Sequence, residues 1–149
     1  MARMPNEDFK ENIMQTMVGF GRNAGNQYRE QSILTASPGE LVVMLYDGCI
    51  KQVRLARLAI QENDIEQSSQ YLIKAQDIID GLIKGLDFNY PISKDLMNLY
   101  EFILREMIDC NISKDVGKLD GIEPILVDMK TTWETVVHQC RMEQYSMAR

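Results

Sequence analysis

Ser37-Pro38-Gly39-Glu40-Leu41-Val42-Val43-Met44-Leu45-Tyr46-Asp47-Gly48 carries a helix-start signal followed by two almost wholly apolar turns. Ser37 can accept from a free amide of the first turn, Pro38 stands where no donor is needed, and Glu40 can reach back to the Ser37 amide. These residues form a capping box. The run behind it exceeds the single stripe that a core-facing helix requires, so an apolar flank is left over for some other partner.

At ~100° per residue the pattern extends to about Gln61. Val42, Leu45, Cys49, Val53, Ala56 and Ile60 share one face and read as core. Asp47, Lys51, Arg54, Arg57 and Gln61 form the solvated side, and Met44, Gly48, Leu55 and Leu58 form a shoulder between the two. Asn63-Asp64 breaks the chain and restarts it, with Asp64 as cap of a helix to about Lys84. Its core reads as Leu72, Ala75, Ile79, Leu82 and Leu86 with Tyr71 and Ile78 alongside, while Ile73 and Ile83 lie toward charged neighbours.

Gly85 to Pro91 is a connection, because Gly stops a helix and the residue before Pro is pushed from helical geometry. Ser93 is expected to cap the next helix, with Ile92 and Met97 as a hydrophobic staple. Leu96, Leu99, Tyr100, Ile103, Met107 and Cys110 recur at spacings of three and four as its core, and Met97, Leu104 and Ile108 make a second apolar line. Asp120 and Glu123 repeat the capping box, Pro124 falls at the fourth helical position, and Ile122, Leu126, Met129, Trp133, Val136, Val137 and Cys140 form the last stripe. No segment alternates with period two over a useful length. The expected fold is all-α, an antiparallel up-down bundle of four long helices preceded by a short or mobile N-terminal helical segment.

That N-terminal segment, residues 1–27, is rich in Met, Asn and Gly and reads as mobile; residues 28–149 read as the bundle domain. Phe9, Ile13, Met17 and Phe20 recur at four, four and three, a short amphipathic pattern that suits a self-occluding segment laid in a groove of the bundle. Tyr28, Ile33 and Leu34 are apolar anchors of the lead-in, placed for packing on the bundle or for contact with a binding partner.

Composition removes several function classes. The chain has 149 residues, 45% of them apolar, and a net charge of −6 with acids and bases interspersed, so no basic stripe exists to hold phosphates. No run approaches the ~18 apolar residues of a membrane span, and Met1 to Val18 lacks the apolar centre of a signal peptide. A cytoplasmic protein without membrane insertion is expected. Cys49, Cys110 and Cys140 lack metal-ligand spacing and read as reduced core residues. The single histidine, His138, has no partners in a hydrolytic or di-iron pattern. Binding rather than catalysis is indicated, with no cofactor and no metal.

The residues also carry a family likeness. Tyr28, Thr35-Ala36-Ser37-Pro38, Met44-Leu45-Tyr46-Asp47-Gly48, Asn98-Leu99-Tyr100 and Trp133, in that order, make the chain resemble the FliS family of cytosolic flagellar export chaperones for flagellin. The family pattern at the fourth of these reads Asn-Leu-x-x-Leu-Tyr, and it is contracted here. The likeness covers about Tyr28 to Val137 and implies a helical bundle that holds the C-terminal segment of newly made flagellin. Held there, the segment does not polymerise before export, and the complex is delivered to the flagellar export gate. The apolar shoulders suit this role, since a client helix laid in a groove needs apolar anchors on several host helices and a polar rim. Met44, Gly48, Leu55, Leu58, Ile73, Ile83, Met97, Leu104 and Ile108 are the candidate client-binding residues. The same side chains equally suit a wider core, and a rival reading is a structural adaptor that dimerises through them.

Overall fold

The capping box at Ser37 forms: the Ser37 hydroxyl accepts from the Glu40 amide at 3.2 Å, and the Ser37 amide donates to the Glu40 carboxylate at 3.3 Å. In the computed structural model, which describes residues 35–147, the helix it opens is the first of four. These are α1 (Pro38–Gln61), α2 (Ile65–Lys84), α3 (Ile92–Ser113) and α4 (Val116–Met147). Asp64 caps α2 by accepting from the Gln67 amide, and the turn before it passes through Asn63 at φ 60°, a left-handed conformation that asparagine tolerates. Phe9, Ile13, Met17, Phe20, Tyr28, Ile33 and Leu34, and the boundary at residue 27, lie outside the described residues.

α1 packs against α2 and α4, and α3 closes the square by packing against the same two helices. The α1–α4 pair is antiparallel, with a register written in charge: Glu40 pairs with Arg141, Asp47 with Lys130 at 2.9 Å, Arg54 with Glu123 at 3.4 Å, and Arg57 with both Glu123 and Asp120. Each partly exposed pair contributes under about 1 kcal/mol, so the ladder selects register more than it stabilises the fold. At its open end a Cβ on Gly39 would stand 2.9 Å from Val137 Cγ2, so a side chain there would push α1 and α4 apart. The result is an antiparallel up-down four-helix bundle.

Most of the expected core is buried: Leu45, Cys49, Val53 and Ala56 on α1, Leu72, Ala75, Ile78, Ile79 and Leu82 on α2, and Tyr100, Ile103, Met107 and Cys110 on α3. Leu41, Tyr46 and Ile50 join them. Val42, Ile60, Leu86, Leu96 and Leu99 pack against this core from partly buried positions.

Three expectations are corrected. Ser93 does not cap α3: it is buried, its hydroxyl donates to the Asp87 carbonyl at 2.5 Å, and the helix begins at Ile92 behind Pro91. Ile92 itself is largely exposed. Asp120 does not cap α4. The helix starts at Val116, Asp115 accepts from the Gly117 amide at 2.9 Å, and Pro124 lies inside it. Both Asp120 and Pro124 are exposed, so the carbonyl that Pro124 leaves without a donor faces water. Cys140 is exposed, unlike Cys49 and Cys110, and Val136 is exposed as well. Only Leu119, Ile122 and Leu126 of α4 are buried, because α4 runs on past the start of α3 and loses a neighbour on that side.

Candidate functional site

Among the described residues two apolar surfaces stand out. The first follows the α2–α3 seam. Lys114, at the left-handed end of α3 (φ 58°), donates to Ser68 Oγ, Ser69 Oγ and Asn111 Oδ1 at 3.0, 2.9 and 2.8 Å. Ser69 Oγ donates to Asn111 Oδ1 at 2.9 Å. This cluster pins the start of α2 to the end of α3. Met97 and Leu104 precede Asn111 by fourteen and seven residues, so they share the flank of α3 that Asn111 turns toward α2. Both are half-buried. One turn from the clamp, Ile73 on α2 and Ile108 on α3 are 50% and 45% exposed. Ile112 extends the line of Ile108 by one turn and is exposed. The sequence reading missed it, although its i+4 spacing from Ile108 was the available signal. Ile83 packs against the core from a half-buried position.

The remaining candidates sit on α1. Gly48 lies in the α1–α2 contact, where an added Cβ would meet Ile78 Cδ1 at 3.6 Å. Met44 and Leu55 are half-buried on the same flank, and Leu58 is half exposed. The nine candidates therefore do not form one groove: Met44, Gly48 and Leu55 flank α2 on one side, and Ile73, Met97, Leu104 and Ile108 on the other.

The second surface is a cleft of about 270 Å³ at the end of the bundle where α1 begins and the α2–α3 connection passes. Val42, Leu82, Leu86, Leu96, Tyr100 and Trp133 line it. At and beside its mouth, Phe88, Tyr90 and Ile92 are largely exposed. The sequence reading put its lining into the core, because helical periodicity says which way a side chain points but not whether a connection covers the bundle end.

At the inner end of the cleft the Tyr46 and Tyr100 hydroxyls approach to 2.5 Å, joining diagonally opposite helices. Burial, followed by the charge of the neighbouring Tyr100 hydroxyl, raises the Tyr46 pKa above the usual tyrosine range, and burial raises that of Tyr100. Burial likewise pushes the Cys49 thiol up to about 12. These groups are held neutral and unreactive, the opposite of what nucleophilic chemistry needs. His138 is exposed on α4. Among the described residues no cluster of three His, Cys, Asp or Glu side chains could hold a metal ion. What the arrangement can do is bind apolar side chains without a covalent step.

Comparison with known proteins agrees with the four-helix fold. A family model described as "Flagellar protein FliS" matches residues 21–140. The flagellar secretion chaperone FliS of Bacillus subtilis (strain 168) is 36% identical over 124 residues, covering 83% of this chain and 93% of the relative. That of Salmonella typhimurium is 31% identical over 110 residues, covering 72% and 82%. A solved structure titled "Crystal structure of flagellar chaperone from bacteria" superposes with a TM-score of 0.66 at 19% identity, over 78% of this chain and 96% of that one, and supports the bundle fold. The family match over most of the chain, together with relatives at 36% and 31% identity, places this protein in the FliS family of flagellar proteins.

Proposed function

We propose that this protein is a cytosolic flagellar secretion chaperone. Its client is the C-terminal segment of flagellin, held on the apolar surfaces flanking α2 and α3 so that it does not polymerise before delivery to the export gate. The observation that carries this reading is the row Ile73, Leu104, Ile108 and Ile112, large apolar side chains left partly or wholly in water beside a rigid polar clamp. A row of that spacing offers one face of an amphipathic client helix its anchors. The relatives named above are chaperones rather than enzymes. No helix among the described residues is long and apolar enough to cross a membrane. Calorimetry with intact flagellin and with flagellin lacking its C-terminal segment tests the reading: binding confined to the intact protein supports it, and equal binding to both overturns it. Sedimentation at micromolar concentration separates it from a dimerising adaptor, for which a stable dimer that excludes flagellin is the expected outcome.

A second reading concerns residues 1–27, and the position of the cleft favours it. The cleft opens where α1 begins, and Val42, one turn into that helix, lines it. The apolar series Phe9, Ile13, Met17 and Phe20 would occupy an apolar surface there when no client is present, with Tyr28, Ile33 and Leu34 guiding the lead-in. Deleting residues 1–24 should then tighten client binding; unchanged affinity counts against occlusion.

A further inference from the structure

The two flanks of α3 differ in charge. Its bases Lys94 and Arg105 precede Ile112 by eighteen and seven residues, whole numbers of turns, so they share the side turned toward α2, and Lys114 is engaged in the clamp with Ser68 and Ser69. On α4, Lys130 pairs with Asp47 and Arg141 with Glu40, both on α1. The flank where α3 meets α4 is left with Lys118, shared between Glu106 at 3.7 Å and Asp109 at 3.9 Å. Asp95 and Asp128 rim the same flank, exposed and in no ion pair among the described residues. An apolar furrow lies between these rims. Phe102 precedes Glu106 and Asp109 by four and seven residues, and both of these reach Lys118, so Phe102 faces α4; Leu99 and Ile92 continue its line back along α3. Opposite them Ile125, Met129 and Val136 follow Lys118 by seven, eleven and eighteen residues. Phe102 is 39% exposed and Ile92 and Val136 more so, while Leu99, Ile125 and Met129 pack on the core from half-buried positions. The furrow stays open at its lower end, where a Cβ on Gly121 would meet nothing within 4 Å. From Ile92 to Phe102 it runs about 15 Å, three turns of a helix.

We propose that the α3–α4 furrow docks a basic amphipathic helix of a partner protein other than the client of the α2–α3 row. Apolar side chains of that helix, recurring at three and four, meet Phe102, Leu99, Ile125 and Met129, with Phe102 as the aromatic anchor. Its lysines and arginines, on either side of that stripe, meet Asp95, Glu106 and Asp109 on one rim and Asp128 on the other. Charge selects the partner: an acidic helix would face four carboxylates tempered by Lys118, whereas a basic one is drawn to them, and the net charge of −6 steers it in from a distance. The furrow is on the opposite flank of α3 from Ile108 and Ile112, so client and partner can be held together, and the inference stands apart from the client assignment.

The test titrates the full chain with three synthetic peptides of about four turns: a leucine stripe flanked by lysines, the same stripe flanked by glutamates, and a scrambled version of the lysine peptide that keeps its charge and loses the stripe. The lysine peptide should bind, more weakly as salt rises, and the other two should not. Gly121→Trp fills the open end from an exposed helical position where glycine is the poorer helix former, so it should block the peptide without lowering the thermal midpoint. Phe102→Ala should weaken the lysine peptide about tenfold, and Asp95→Asn/Asp128→Asn should weaken it and flatten its salt dependence. Ile73→Ala/Ile108→Ala, on the other flank, should leave it within twofold of native. Equal binding of the scrambled peptide overturns the inference, because net charge alone then suffices, and so does binding that neither Phe102→Ala nor Gly121→Trp changes. Loss of flagellin binding in Gly121→Trp assigns the furrow to the client and overturns it too, as does a dimer of the native chain in sedimentation that Gly121→Trp disperses, which makes a second copy the occupant.

Discussion

Replacing Ile73 and Ile108 together by alanine should cost the chaperone its client while leaving its fold intact. The two side chains are 50% and 45% exposed, so roughly half of each is available to a partner. Fully burying an isoleucine contributes about 1.5–3 kcal/mol, and half of that is about 1 kcal/mol per residue. The double substitution therefore removes about 2 kcal/mol of binding free energy, roughly thirtyfold in Kd. Both positions lie inside helices, where alanine has the higher propensity, so the thermal midpoint should stay near that of the native protein. Titration calorimetry with flagellin measures the loss. Leu58→Ala removes a similar half-exposed side chain on α1, away from the α2–α3 seam, and should change affinity less than twofold. Binding by Ile73→Ala/Ile108→Ala within twofold of native would refute the assignment of the seam to the client.

Ser37→Ala removes the hydroxyl that accepts from the Glu40 amide and should lower stability by about 1 kcal/mol in urea unfolding, while the residue 37 amide keeps the Glu40 carboxylate as its acceptor. Tyr46 and Tyr100 are held protonated above their usual range, so above about pH 10 the unfolded chain binds fewer protons than the folded one and stability falls as pH rises. In midpoints measured across that range, the stability gap between native protein and Tyr46→Phe should therefore narrow with increasing pH; a constant gap would contradict the shift. Cys140 is exposed while Cys49 and Cys110 are buried, so a thiol reagent should label one cysteine rapidly in the native protein and the other two only on unfolding.

The helical frame was readable because burial in a bundle repeats with the helix: the spacing of Leu45, Cys49, Val53 and Ala56 already states which face meets the core. Caps were readable only where the cap side chain had no better partner. Ser37 and Asp64 had none, but Ser93 found the Asp87 carbonyl, a choice made by the path of the connection rather than by local sequence. Asp115 and Asp120 both offer N-cap chemistry, and α4 takes the earlier because the extra turn buries Leu119. Cys140 and Val136 continue the periodicity of α4 faithfully, yet what faces them depends on where α3 begins. Of the shoulder residues Leu58, Ile73 and Ile108 are about half exposed and the others half-buried, and their division between the two flanks of α2 required the register fixed by Ser69, Asn111 and Lys114. The cleft escaped notice altogether, since it is made by a gap between elements and not by any one of them.

The three buried residues of α4 all precede Met129, whereas Trp133 belongs to the stretch held to the bundle mainly by half-buried packing and exposed ion pairs. Segments tied down this lightly open at a fraction of the cost of global unfolding. The wall of the cleft that Trp133 contributes is therefore more compliant than the walls from α1 and α2, where Leu82 is buried. The width of the cleft can follow the bulk of whatever enters, with the adjustment taken up by the C-terminal half of α4.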